Sequence, residues 1–124
     1  MRGPLAILLA LLAAPAAAQV IDCNAQGFSE GADFTACRAA AWGQADAELN
    51  RVWPEAMEGA SRYGVDAALL DAQRAWLGFR DAHCAVGSAL DAGAYYEQES
   101  LHICLTELTI TRTEQLLYYT YLGD

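Results

Sequence analysis

The chain contains no lysine. Its seven basic residues are all Arg, set against 16 Asp and Glu in 124 residues, for a formal net charge of −9. No basic stripe can form from so few cations, which excludes nucleic-acid binding through phosphate neutralisation. An acidic surface suits cationic partners or plain solubility instead. Also missing are a C-x-x-C knuckle, a Ser-His-Asp order, a nucleophile elbow, a Gly-rich phosphate loop and a metal-binding helix motif. The sequence therefore implies neither an enzyme nor a cofactor.

Long apolar runs are scarce too. Beyond residue 18 no segment offers about 20 uncharged apolar residues, so no transmembrane span is expected there. The first 18 residues differ: Arg2 supplies one positive charge, Leu5 to Leu12 an apolar run, and Ala16-Ala17-Ala18 the small residues before Gln19. This reads as a secretory signal peptide over 1–18, with one domain over 19–124 that is periplasmic or secreted. A lipid anchor is not expected, because Val20-Ile21-Asp22 precedes Cys23 where an acylated Cys would want Leu and small residues. Removing the leader leaves 106 residues with six Arg against 16 acids, a net charge of −10.

Four Cys remain, at 23, 37, 84 and 104. An even count in a small exported chain reads as a disulfide framework, with three possible pairings. A zinc site, with His83 beside Cys84 and His102 near Cys104, is the rival reading, disfavoured by an oxidising compartment.

The rest of the chain has helical periodicity. From about Asp33 to Ala60, Trp42, Ala45, Leu49, Val52, Trp53, Ala56 and Ala60 recur at three-four spacing. The opposite face offers the ion pairs Glu48–Arg51, Arg51–Glu55 and Glu58–Arg62, each worth a few tenths of a kcal/mol. Pro54 removes a backbone bond and predicts a kink near Asn50 or a break. Tyr63-Gly64 closes this helix, and Asp66 is a good N-cap for the next.

The second helix, about 67 to 86, carries two stripes. Leu69, Ala72, Trp76, Phe79 and His83 make one; Leu70, Gln73, Leu77, Arg80 and Cys84 make the other. It is therefore expected to be buried over a wide face. Gly87 to Tyr96 reads as a loop, and about Glu97 to Leu122 as a third helix with Gly123 suited to its C-cap. The Thr-Ile-Thr-Arg-Thr stretch has strand-like alternation, but the segment is too long for one strand and no hairpin turn interrupts it.

Three helices with short connections predict an all-α, antiparallel up-down-up bundle. In a hairpin of the second and third helices Cys84 and Cys104 lie at similar height. Their bond would close a loop of about 20 residues and stabilise by about 3 kcal/mol. Cys23–Cys37 then pins the N-terminal arm to the first helix, and a core this small needs two such staples.

Taken in order, Asp22-Cys23, Cys37, Ala45-Asp46-Ala47-Glu48-Leu49-Asn50, Gln73-Arg74-Ala75-Trp76, Phe79-Arg80-Asp81, Cys84, Cys104-Leu105 and Thr111-Arg112-Thr113 resemble the LprI-type lysozyme inhibitor family of small exported bacterial proteins. The resemblance covers nearly all of 19–124. It implies an all-helical, disulfide-linked domain of the periplasm or extracellular space that inhibits lysozyme. Where family members commonly carry a Tyr after the Leu-Asn pair, this chain has Trp53 followed by Pro54.

Asp46, Asn50, Gln73, Arg80, Asp81 and Arg112 are polar residues on or beside apolar stripes. They read as a structural hydrogen-bonded network, with Arg80 or Arg112 forking onto Asp46 or Asp81, in preference to a catalytic cluster. His83 and His102 read as packed or exposed side chains and not as acid-base groups. A partner could meet the loop from Asp91 to Glu99, where Asp91, Glu97 and Glu99 accompany Tyr95 and Tyr96. Aromatics anchor interfaces and carboxylates steer a cationic protein such as lysozyme. Tyr118, Tyr119 and Tyr121 read as packing against the first helix or as a homodimer face on the third helix, which has apolar residues on both sides.

Overall fold

Three helices account for almost all of the described residues, 21–24 and 32–122 of a computed structural model. They are α1 (Ala32–Arg62), α2 (Asp66–Leu90) and α3 (Glu97–Thr120), and no strand occurs among the described residues. The leader at 1–18 and the cap at Gly123 lie outside them. The expected all-α, up-down-up bundle is what forms.

Its two seams are unlike. α1 and α3 run parallel: Thr35 at the start of α1 donates its hydroxyl to Glu99 at the start of α3 (2.6 Å), and Arg62 at the other end donates to the Leu122 carbonyl (3.3 Å). Between these ties α1 presents Leu49, Val52, Ala56, Gly59 and Ala60, all buried. Small residues at three-four spacing let the helix backbones approach closely. At Gly59 the approach is limiting, because a Cβ there would overlap the Tyr119 carbonyl of α3. Leu116 and Leu69 complete this core, with Trp53, Met57, Trp76, Leu117 and Tyr119 packed against it.

Pro54 sits inside α1 without ending it. The carbonyl of Asn50 loses its usual donor four residues on, but Asn50 and Pro54 are both exposed, so water can satisfy that oxygen and no break follows. The outer face carries the three expected ion pairs: Arg51–Glu48 at 2.8 Å, Arg51–Glu55 at 3.5 Å and Arg62–Glu58 at 2.9 Å. α1 ends in a Schellman motif, with Val65 N–H on the Ala60 carbonyl, Gly64 N–H on that of Ser61, and Gly64 at φ 70°. The residue that caps α2 is Val65, with no side-chain bond. Asp66 is one position inside the helix, where its charge complements the positive end of the dipole.

The expectation of a widely buried α2 is not met. Its buried residues are Leu69, Gln73, Arg80 and Cys84, the last three from the stripe with more polar groups. Phe79, His83, Val86 and Leu90 face solvent. α2 also runs to Leu90, beyond Gly87; the chain turns at Gly93, whose φ of 81° requires glycine.

Both predicted disulfides are present. Cys84–Cys104 joins α2 to α3 with Cα atoms 5.6 Å apart. Cys23–Cys37, at 5.9 Å, anchors the arm on α1. There the arm has its own small core of Cys23, Cys37 and Ala41, backed by Ile21 and Phe34. The Ile21 amide donates to Gln44 (2.9 Å), and Arg38 donates to Asn24 (3.0 Å) while lying over the Phe34 ring.

Candidate functional site

The α2–α3 connection is a braced turn. Asp91 caps α2 through its own N–H and accepts from the Ala94 amide (2.8 Å). The carboxylate of Glu97 spans the loop: one oxygen accepts from the Gly93 amide at 2.9 Å, the other from the Ser88 hydroxyl at 3.4 Å. Glu99 is buried and held by Thr35. The outward residues are thus Asp91, half-buried, and Tyr95 and Tyr96, whose rings meet edge to face at 5.1 Å. Tyr95 is 77% exposed. Of the three acids expected to face a partner, Glu97 and Glu99 serve the fold locally, and the aromatic pair is what the loop displays.

Of the six polar residues expected to form one network, Asp46, Asn50, Gln73 and Arg80 line a cleft, and Asp81 and Arg112 lie outside its lining. The cleft lies between α1 and α2, holds about 240 Å³, and is lined by Asp46, Leu49, Asn50, Trp53, Leu70, Gln73, Arg74, Leu77 and Arg80. The expected pairing of Arg80 with Asp81 forms, but as one of three separate pairings and not as part of a single network. On α1, Asn50 donates to Asp46 (3.3 Å). On α2, Arg80 donates through Nε and an Nη to one oxygen of the neighbouring Asp81 (2.9 and 2.8 Å). Between α2 and α3, Arg112 donates Nε–H to Gln73 (2.8 Å) and an Nη to Gln115 (3.2 Å). An arginine offers no acceptor, so Gln73 must turn its oxygen to Arg112, which leaves its NH₂ for the cleft.

Two side chains absent from the expected set complete the arrangement. The Arg80 guanidinium lies over the rings of both Trp42 on α1 (5.0 Å) and Trp76 on α2 (5.2 Å), and Arg112 also lies over the Trp76 ring at 5.9 Å. This cation–aromatic group links α1 to α2. Its sequence signal was Cys84: once that residue must face α3, Leu77, Arg80, Gln73 and Leu69 share its side of the helix at intervals of 7, 4, 11 and 15 residues.

Burial lowers the Arg112 pKa, opposed by Tyr119, yet a guanidinium stays charged. Its second Nη is buried with no hydrogen-bond partner among the described residues. Arg51 lowers the Glu48 carboxyl below its ordinary value by hydrogen bonding and charge, against the opposing effect of desolvation. These shifts accompany structural pairs, and none creates a proton donor or base for catalysis. His83 stacks on Phe79 at 5.3 Å on the outer face. All four Cys are in disulfides, and no cluster of three His, Cys, Asp or Glu that could hold a metal occurs among the described residues. Nor is any described helix long and apolar enough to cross a membrane.

Comparison with known proteins places this arrangement. An uncharacterized protein of Rhizobium meliloti (strain 1021) is 33% identical over 126 residues, spanning 92% of this chain and 91% of the relative. No solved structure matches the chain. The family model described as lysozyme inhibitor LprI matches residues 23–116, from the first cysteine of the arm to the core leucine of α3. The chain belongs to the LprI lysozyme inhibitor family.

Proposed function

We propose that this protein is exported and inhibits a lysozyme, its acidic surface occluding the cleft of the cationic enzyme. Membership of the lysozyme inhibitor family carries the reading. The charge agrees with it: 16 acids against seven arginines favour encounter with a basic partner and raise the association rate at low salt. The displayed part of the α2–α3 loop supplies the contact, with Tyr95 and Tyr96 as anchors and Asp91 as the steering carboxylate. Glu97 acts indirectly by bracing the turn, and Glu99 by tying α3 to α1. The leader-like 1–18 segment and two disulfides suit an oxidising, extracytoplasmic setting.

The test is a lytic assay with purified, oxidised protein titrated into lysozyme. Inhibition is expected, weakening as salt rises because exposed charges are screened beyond about 8 Å at physiological ionic strength. Replacing both Tyr95 and Tyr96 with Ala should weaken inhibition by at least about tenfold, as loss of aromatic anchors does. Unaltered lysis at large molar excess of inhibitor would overturn the proposal.

A further inference from the structure

The cleft between α1 and α2 has a polar floor with unused bonding capacity. Gln73 is only 6% exposed; its oxygen is claimed by Arg112, and its NH₂ donates to no other residue. Such a buried donor calls for an oxygen in the cleft, from water or from a ligand. Arg80, also buried, gives Nε and one Nη to Asp81, and its second Nη adds to the donors on the α2 side. On the α1 side Asp46 accepts from Asn50 alone, so carboxylate lone pairs and the Asn50 carbonyl remain as acceptors. Leu49, Trp53, Leu70 and Leu77 make the apolar part of the lining. The volume of about 240 Å³ equals the share of about eight waters, which is room for one compact ring.

We propose that this cleft binds a neutral sugar, a single pyranose ring. The polar lining residues select it. Asp46, Asn50, Gln73, Arg74 and Arg80 all end in planar groups with two or more polar atoms, the shape that pairs with adjacent ring hydroxyls. Donors face from α2 and acceptors from α1, and a hydroxyl is a ligand group that answers both. The Trp53 ring offers an apolar face to the C–H side of the sugar. Charge disfavours the rival ligands. Each cation in the lining has an acid of its own, Arg80 with Asp81 at 2.8 Å and Arg74 with Asp71 at 3.9 Å, so an anion would gain little there and would meet the Asp46 carboxylate. A cation would face the Arg80 guanidinium and leave the Gln73 NH₂ unanswered. Asp91, Tyr95 and Tyr96 are not in the lining, so this site goes beyond the inhibitor reading.

Titrating glucose, galactose and N-acetylglucosamine into isotopically labelled, disulfide-intact protein tests this by NMR. For at least one sugar, the Gln73 side-chain NH₂ and the Trp53 indole N–H signals should move together and saturate with a dissociation constant of about 1 mM, as suits a small ligand in a shallow site. Asp46→Ala and Asn50→Ala should each raise that constant by about tenfold, through loss of acceptors at the rim. Glu48→Ala, on the outer face of the same helix, should leave it unchanged, and all three variants should keep the wild-type helical circular dichroism. No shift with any of the sugars at about 50 mM, well above that constant, would overturn the proposal. So would binding indifferent to both rim variants, or acetate or guanidinium moving the same signals at lower concentration than every sugar, which would assign the cleft to a charged ligand. The titration contains no lysozyme, so its outcome stands apart from that of the lytic assay.

Discussion

The seam between α1 and α3 and the seam between α1 and α2 are made by opposite means. The first is dry and close: Val52, Ala56, Ala60 and Leu116 are fully buried, and Gly59 lets one backbone rest on the other. The second is a cleft bridged by Arg80, which lies over two tryptophans, and α2 is held to α3 by a disulfide and the Gln73–Arg112 bond. α1 and α3 therefore form a pair held by shape, while α2 joins the core through Leu69 and Trp76 and is otherwise attached by directional contacts. The difference explains how α2 can leave Phe79, Val86 and Leu90 in solvent and still keep its place.

The strongest way to break the contrast is at Gly59. Gly59→Val should cost about 4 kcal/mol or prevent folding, because the obstacle is the Tyr119 backbone and not a side chain that can rotate away. Gly78, inside α2 with open space around it, is the matched control: Gly78→Ala should stabilise by up to about 1 kcal/mol through helix propensity. Urea denaturation of the two variants checks both signs.

Removing Cys84–Cys104 by paired serine substitution should cost about 3 kcal/mol for a closed loop of 20 residues. The loss should be uneven. Amide exchange in α2 should accelerate well before that in the α1–α3 seam, since without the disulfide α2 keeps only Leu69 and Trp76 in the core and the contacts of Gln73 and Arg80. Equal acceleration in all three helices would show that the two seams are coupled more tightly than their chemistry suggests.

Arg112→Ala comes next, at about 2 kcal/mol by thermal denaturation. It leaves the buried Gln73 carbonyl without its donor and removes a cation from the Trp76 face. Arg112→Met keeps the stem and should recover part of the packing but not the hydrogen bond. An unchanged melting temperature in Arg112→Ala would refute the structural role.

Much of this was legible in the sequence, and the parts that were not share a cause. The three-four spacing of Leu49, Val52, Ala56 and Ala60 announced α1, and helical height paired Cys84 with Cys104. The ion pairs of Arg51 and Arg62 followed from spacing alone. The rotation of α2 did not, because apolar residues occupy both of its sides and periodicity cannot choose between two apolar stripes. Burial went to the stripe with Gln73 and Arg80 because the staple at Cys84 lies on that side, and a covalent bond outranks hydrophobicity in setting the angle. The site was less legible for a related reason. Glu97 and Glu99 looked like surface acids, and nothing local signalled that Gly93 and Thr35 would claim them. Trp42 read only as an apolar position of α1, because its partner Arg80 is 38 residues away.

The smallest effect lies far from both seams, at Glu48 and Arg51 on the outer face of α1. Arg51 donates two hydrogen bonds to the Glu48 carboxylate (2.9 and 2.8 Å) and holds its pKa below the ordinary 4.5. A carboxyl whose pKa is depressed by folding stabilises the native state fully above that ordinary value, and the contribution fades as pH falls through the folded value. Both side chains are about half exposed, so screening limits the pair to a few tenths of a kcal/mol. Glu48→Gln should therefore lower stability by about 0.3 kcal/mol at pH 7 and low salt, and match the wild type near pH 2, where both residues are uncharged. Added salt should erase the difference at pH 7. A loss above about 1 kcal/mol would mean that the outer face of α1 supports the bundle as its buried face does, and the division between a face held by shape and faces held by charge would have to be redrawn.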